Sequence, residues 1–310
     1  MSTAEQAFKQ RLLVGFATLI PVVHYVAEVP LHPVQSQTLK LIWNYVSDCL
    51  EMLSTSQIEE LVLALTGMLK KHTEGRMGML PETFILVCSV FVALMKFSSS
   101  HGTPNLARPV QEASKHAVLA CLDISEKHPG QLLHSLYLLK EAYLYGHEES
   151  FAESCNMEIR NSVVDICTTH LLPWVVTSIN EMEEEIVLGV LETFHSLLLQ
   201  DSYIQAMELA KTLVSTSWFS FSFGCLGLYP TEKMKRRVFL MLSSLVDVLL
   251  GNDSGQPIRD AALYLPSDPV DMLFLLGQKS SHNLELSSCQ SAILVILYTS
   301  SLHDERLLSS

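Results

Sequence analysis

The nearest approach to a catalytic motif is His147-Glu148-Glu149-Ser150-Phe151. It opens as a zinc-protease helix does, but Phe151 stands where the second histidine ligand is needed, so the stretch reads as a solvated helix start. Gly251-Asn252-Asp253-Ser254-Gly255 places its serine one position too late for a nucleophile elbow, and no strand precedes it. Gly224-Cys225-Leu226-Gly227 lacks the lysine and hydroxyl residue of a phosphate loop. His128 and His134 are close in sequence but have no matching cysteine or carboxylate cluster, so neither metal nor cofactor is expected. A Cys–His nucleophile pair would meet only in the fold and stays open here. Asn252-Asp253-Ser254 fits a glycosylation sequon, which matters only in a secreted chain. The expectation is a protein without catalytic residues or a small-molecule substrate.

Two stretches suit binding rather than catalysis. Lys233, Lys235, Arg236 and Arg237 form the one compact basic cluster. Its first reading is the solvated face of an amphipathic helix, and its sharper readings are a contact for an acidic partner or a nuclear-import signal. In WFSFSFGCLGLY, Trp218 leads and Phe219, Phe221 and Phe223 alternate with serines, a period of two. An extended segment would put the three phenylalanines on one side. They would then either plug a groove between helices or anchor a partner, since aromatics dominate interface hot spots.

The elements that must position these residues are helical. In Ser56 to Lys71, the residues Ile58, Leu61, Val62, Leu65, Met68 and Leu69 recur at i, i+3, i+4, i+7. Ser56 and Glu59 form a capping box there. Pro81 opens the next helix, whose FILVCSVFVALM run should be buried on all sides. Further helices are expected near Asn105–Lys127, Gln131–Tyr145, Glu158–Ser178, Glu181–Gln200, Tyr203–Val214, Glu232–Leu250 and Asn283–Ser300. Glu181, Glu183, Glu184 and Glu185 crowd one first turn, where they complement the helix dipole. Met182, Ile186, Val187, Val190, Leu191, Phe194, Leu197 and Leu198 form the stripe of that helix. Thr231 should cap the long helix that follows it, near Glu232–Leu250, and Gly251 end it in the left-handed conformation. Ser98–Pro104 and Asn252–Asp271 read as loops. The helix starts, near Pro33, Ser56, Pro81, Asn105, Gln131, Glu158 and Glu181, lie about two dozen residues apart, so a helix pair recurs at or above the HEAT/armadillo period. The expected fold is all-α, an armadillo/HEAT-like helical-repeat solenoid in one domain over residues 1–310, with an irregular multi-helix domain as the alternative.

Composition agrees. Of 310 residues, 48% are hydrophobic and 17% charged, so much apolar surface must be covered by helices or a partner. The mean hydropathy is +0.27. End repeats of a solenoid expose apolar surface unless capped, which points to one end of a longer array. A net charge of -13 argues against broad direct nucleic-acid binding. The seven cysteines include no CxxC pair and read as buried, reduced thiols. The longest apolar run, Phe84 to Met95, is too short to span a bilayer, and Leu12 to Val23, interrupted by Pro21 and followed by His24, reads as a packed first helix rather than a signal peptide.

Three stretches, LLPWVVTSINEMEEEIVLGVLETFHSLLLQ (171–200), WFSFSFGCLGLYPTEKMKRRVFLMLSSLVDVLLGND (218–253) and DPVDMLFLLGQKSSHNLELSSCQSAILVIL (268–297), resemble the C-terminal part of the vertebrate meiosis inhibitor protein 1 family. The resemblance implies a C-terminal portion or short isoform of such a protein. It also implies a non-catalytic nuclear scaffold required for meiotic double-strand break formation and homologue synapsis, with other break-forming proteins as partners. The resemblance supplies no catalytic or ligand residues. The alternative reading is a cytoplasmic helical-repeat adaptor in complex assembly or trafficking.

Overall fold

The computed structural model describes residues 3–29, 32–49, 53–101, 106–122, 129–145, 161–178, 182–199, 203–216 and 218–251, and also 256, 257, 260, 286, 287, 290, 291 and 294. Among them every regular element is a helix. The chain divides into two compact units, residues 1–167 and 168–310.

The first unit holds α1 (Thr3–Glu28), α2 (His32–Cys49), α3 (Thr55–Thr73), α4 (Pro81–His101), α5 (Ala107–Leu122) and α6 (Pro129–Tyr145). Neighbours pair as α1 with α2, α3 with α4 and α5 with α6. Across pairs, α1, α3 and α5 pack in one layer and α2, α4 and α6 in a second. Each pair thus buries apolar faces on the next, as helix-pair repeats do. Counted from the starts of α1, α3 and α5 at residues 3, 55 and 107, a pair recurs about every 50 residues, longer than the HEAT/armadillo range.

Side chains make these layers cohere. Two of the C-terminal carbonyls of α1, which have no helical partner, are taken by other helices. Gln35 of α2, fully buried, donates to the Val26 carbonyl at 2.6 Å. Lys71 of α3 donates to the Ala27 carbonyl at 3.2 Å and pairs with Glu28 at 2.5 Å. One helix end therefore ties α1, α2 and α3 together. Gly15 lets α2 come close, since a Cβ there would lie 2.5 Å from the Tyr45 hydroxyl oxygen. The expected stripe of α3 is buried throughout. Its capping box is made by Ser54 and Gln57 rather than Ser56 and Glu59. Three consecutive hydroxyl residues all offer a cap, and the helix begins at the earliest one, gaining backbone bonds. Gly75, at φ 69°, turns the chain after α3 in a conformation that favours glycine. α4 starts at Pro81 as expected, and its outer side (Ile85, Leu86, Ser89 and Ala93) stays half-exposed. It runs to His101, so Ser98–Ser100 are helical and not loop. The packing of the apolar run before them outweighs the weak helix propensity of serine.

The second unit holds α7 (Leu172–Ser178), entered through a π-helical segment (Cys167–Leu171), then α8 (Glu184–Leu198), α9 (Tyr203–Ser215), α10 (Trp218–Leu228) and α11 (Glu232–Leu250). α11 packs on α8, α9 and α10. The expected α8 stripe is buried from Met182 to Leu198. Thr231 caps α11 by accepting from the Met234 N–H at 3.2 Å. Gly251 departs from expectation: its φ is -63°, right-handed, with its N–H on the Asp247 and Val248 carbonyls. The last turn is completed by those bonds, so no left-handed residue is needed. Most of 252–271 lies outside the described residues, but Gln256, Pro257 and Asp260 are helical there, where a loop was expected. Gln256 donates to Asp260 at 2.6 Å, a bond spaced one turn apart. In the expected last helix, residues 286, 287, 290, 291 and 294 are helical.

Candidate interaction site

WFSFSF is helical, not extended, and forms the start of α10. Burial explains why a period of two misleads. Trp218, Phe219, Phe221, Ser222, Phe223 and Cys225 are all buried, so the helix has almost no polar face to reveal its phase. Its exposed positions, Ser220, Gly227 and Leu228, stand at i, i+7 and i+8, as on one helical face. Trp218 is the largest fully buried side chain of the described residues. Its ring centroid lies 5.0 Å from Phe194 of α8 and 4.8 Å from Phe221. The four aromatics are at most 6% exposed and so fill the interior of the unit.

The basic cluster lies elsewhere on the same unit. Thr231 orders it: its hydroxyl donates to the Glu184 carboxylate of α8 and accepts from α11. Tyr229 donates to the Met182 carbonyl at 2.6 Å, adding a second tie to the start of α8. From this fixed end, Lys233, Arg236, Arg237 and Leu240 follow at i, i+3, i+4 and i+7, on the flank of α11 turned away from its buried residues. With Glu232 they line a groove of about 510 Å³. Arg237 is held by Glu192 of α8 at 3.7 Å. Lys235 pairs with Glu232 at 2.9 Å and does not line the groove. Sequence reasoning found the charges but missed Leu240 and the groove.

Among the described residues, burial disfavours the thiolate form of four cysteines. Burial pushes the Cys121 and Cys225 thiols up to about 12, and those of Cys88 and Cys167 are raised as well. Burial lowers His72, His116 and His195. His195 is engaged with Ser244 at 2.9 Å, and His134 donates to the Gly130 carbonyl at 2.7 Å. Among the described residues no three His, Cys, Asp or Glu side chains converge to hold a metal, and no helix is long and apolar enough to cross a membrane. The His147–Phe151 stretch lies outside the described residues.

The chain matches the PRD1-like TPR-repeat family over residues 1–215 and again over residues 220–310. It is 52% identical, over 307 residues, to an Arabidopsis thaliana protein named for a recombination initiation defect. That alignment takes in 99% of this chain and 23% of the relative, so the chain spans under a quarter of the relative's length. No solved structure matches. The expectation of a helical-repeat, solenoid-like fold holds. The resemblance to the vertebrate meiosis inhibitor family is narrower than what the match supports. With these two matches covering nearly all of its length, the chain belongs to the PRD1-like TPR-repeat family.

Proposed function

We propose that this chain is a non-catalytic helical-repeat scaffold acting in the initiation of meiotic recombination. It binds partner proteins along its helix surfaces in the nucleus, and DNA is reached through those partners. The observation that carries the reading is 52% identity, across 99% of the chain, to a relative named for a recombination initiation defect. The net charge of -13 suits protein partners better than a phosphate backbone. The buried, protonated thiols suit a structural role better than nucleophilic chemistry. A role in homologue synapsis is part of the same proposal. The kinship to vertebrate meiosis inhibitor proteins belongs to this reading as well.

Affinity purification of the tagged chain from meiotic tissue tests it. The reading expects break-forming proteins in the eluate and the tagged chain on meiotic chromosomes. A diffuse cytoplasmic signal with trafficking components in the eluate would favour a cytoplasmic adaptor and overturn it.

A further inference from the structure

The outer side of the α1–α2 pair is an apolar face to which the scaffold reading gives no role. In α1, Phe16, Ile20, Val23 and Val26 are buried, while Val14, Thr18, Val22 and Tyr25 are exposed. The exposed four stand at i, i+4, i+8 and i+11, along one side of the helix. In α2, Val34 and Leu41 are exposed two turns apart. Among the described residues the main neighbours of α1 are α2 and α3, and those of α2 are α1 and α4. The Gly15 flank of α1 meets Tyr45 of α2, and its Ala27 and Glu28 meet Lys71 of α3, so the Val14–Tyr25 row points away from α3. Leu41 stands one turn before Tyr45, which places it beside α1. The two rows therefore form one face, on the side where a further helix pair would stack. Val14 is 66% exposed, Tyr25 57% and Leu41 49%. The end pair of a helix-repeat stack keeps a polar outer face when it meets only water, so these side chains mark an interaction surface.

Charge points to the occupant. α1 and α2 together carry three acidic residues (Glu5, Glu28 and Asp48) and three basic ones (Lys9, Arg11 and Lys40), so this pair is neutral in a chain of net charge -13. Two copies of so acidic a chain repel each other over most approaches, and least where these neutral pairs meet. Size agrees. The 18-residue α2 is about 27 Å long, and two helices side by side are about 20 Å across, so the face covers roughly 500 Å². Two such faces in contact remove roughly 1,000 Å² or more from water, the lower end of specific interfaces. We infer that this face docks a second copy of the chain, in a two-fold dimer whose α1–α2 pairs pack on each other. A two-fold contact requires that one patch suit itself, which an apolar patch does without opposing like charges. The inference goes beyond the proposed function and does not depend on its meiotic part.

Sedimentation velocity on the full chain tests it, over about 1–100 µM, the range suited to an interface at the small end. The expected result is a shift from monomer to dimer as concentration rises, strengthened by salt, which screens the repulsion between acidic copies. Tyr25→Glu with Leu41→Glu should weaken dimerisation about tenfold or more, because like charges then oppose each other across the contact. Tyr25→Lys with Leu41→Lys should weaken it as well. An equal mixture of the acidic and basic variants should associate more tightly than either alone. Leu63→Glu with Leu80→Glu, at two exposed leucines outside the face, should leave dimerisation unchanged. Thermal unfolding of each variant shows that the fold is kept, and Tyr25→Ser with Leu41→Ser replaces any variant that unfolds. A monomer that persists to about 100 µM overturns the inference. So does a ladder of species beyond the dimer, equal weakening by the Leu63 and Leu80 pair, dimerisation untouched by the face variants, or a mixture that associates no better than its components. Because the assay contains no meiotic component, its failure leaves the recombination reading standing.

Discussion

Replacing Phe219, Phe221 and Phe223 with serine should abolish folding of the second unit. The three rings are 1%, 4% and 6% exposed, so each substitution empties a filled site in the core. Truncating a buried phenylalanine costs about 3–5 kcal/mol. A buried serine hydroxyl without a partner adds about 1–3 kcal/mol. Neighbouring sites are not additive, but even about two-thirds of the minimum cavity sum is about 6 kcal/mol. That falls within the whole stability of a typical domain, about 5–15 kcal/mol. Phe221→Ala alone, which also breaks the contact with Trp218 at 4.8 Å, should lower stability by about 3–5 kcal/mol. With a urea slope of about 2 kcal/mol/M, the midpoint would fall by about 2 M. Urea titration followed by tryptophan fluorescence reads this change, because Trp218 lies in the affected cluster. Ser220→Ala, on the exposed face of α10, should move the midpoint little. A triple serine variant that still unfolds cooperatively, within about 1 kcal/mol of the parent, would refute the burial argument.

Other consequences are as direct. Gly227 is exposed within α10, and a Cβ added there would meet nothing within 4 Å, so Gly227→Ala should stabilise by about 0.4–1 kcal/mol in the same titration. A destabilised variant would contradict a helical α10. Burial lowers His72, His116 and His195 from the ordinary 6.5, so the unfolded chain binds more protons below that pH. Their contribution is intact above about pH 6.5 and is lost as pH falls through their folded values, so the thermal midpoint should drop between pH 7 and pH 5. A midpoint that is level or rising over that window would count against these burials. Cys88, Cys121, Cys167 and Cys225 should not react with Ellman's reagent at pH 8 until the chain is unfolded, leaving at most three of the seven thiols accessible. A count above three in the native protein would contradict their protection.

Amphipathic helices with one polar face were legible from sequence, because their phase is written in the pattern. The stripes of α3 and α8 were read residue by residue, as was the proline start of α4. What failed shares a physical cause. α10 is apolar on nearly every side, so alternating phenylalanine and serine fitted a strand as well as a helix. The start of α3 offered Ser54, Thr55 and Ser56, and local chemistry alone did not rank them. Gly251 can adopt the left-handed conformation but is not required to. The α11 groove depended on which flank of the helix the core leaves open. The burial of Met234, Val238, Met241 and Leu242 decides that, and it brings Leu240 beside Arg236 and Arg237.

The central claim, a structural protein of recombination initiation, is tested most directly by counting early recombination foci in meiocytes that lack this chain. The account predicts that foci fall to near absence. It also predicts that expression of a chain with every described cysteine thiol replaced by alanine or serine, if still folded, restores them. Normal focus numbers in its absence, or rescue that fails through loss of one thiol in a folded chain, would contradict it.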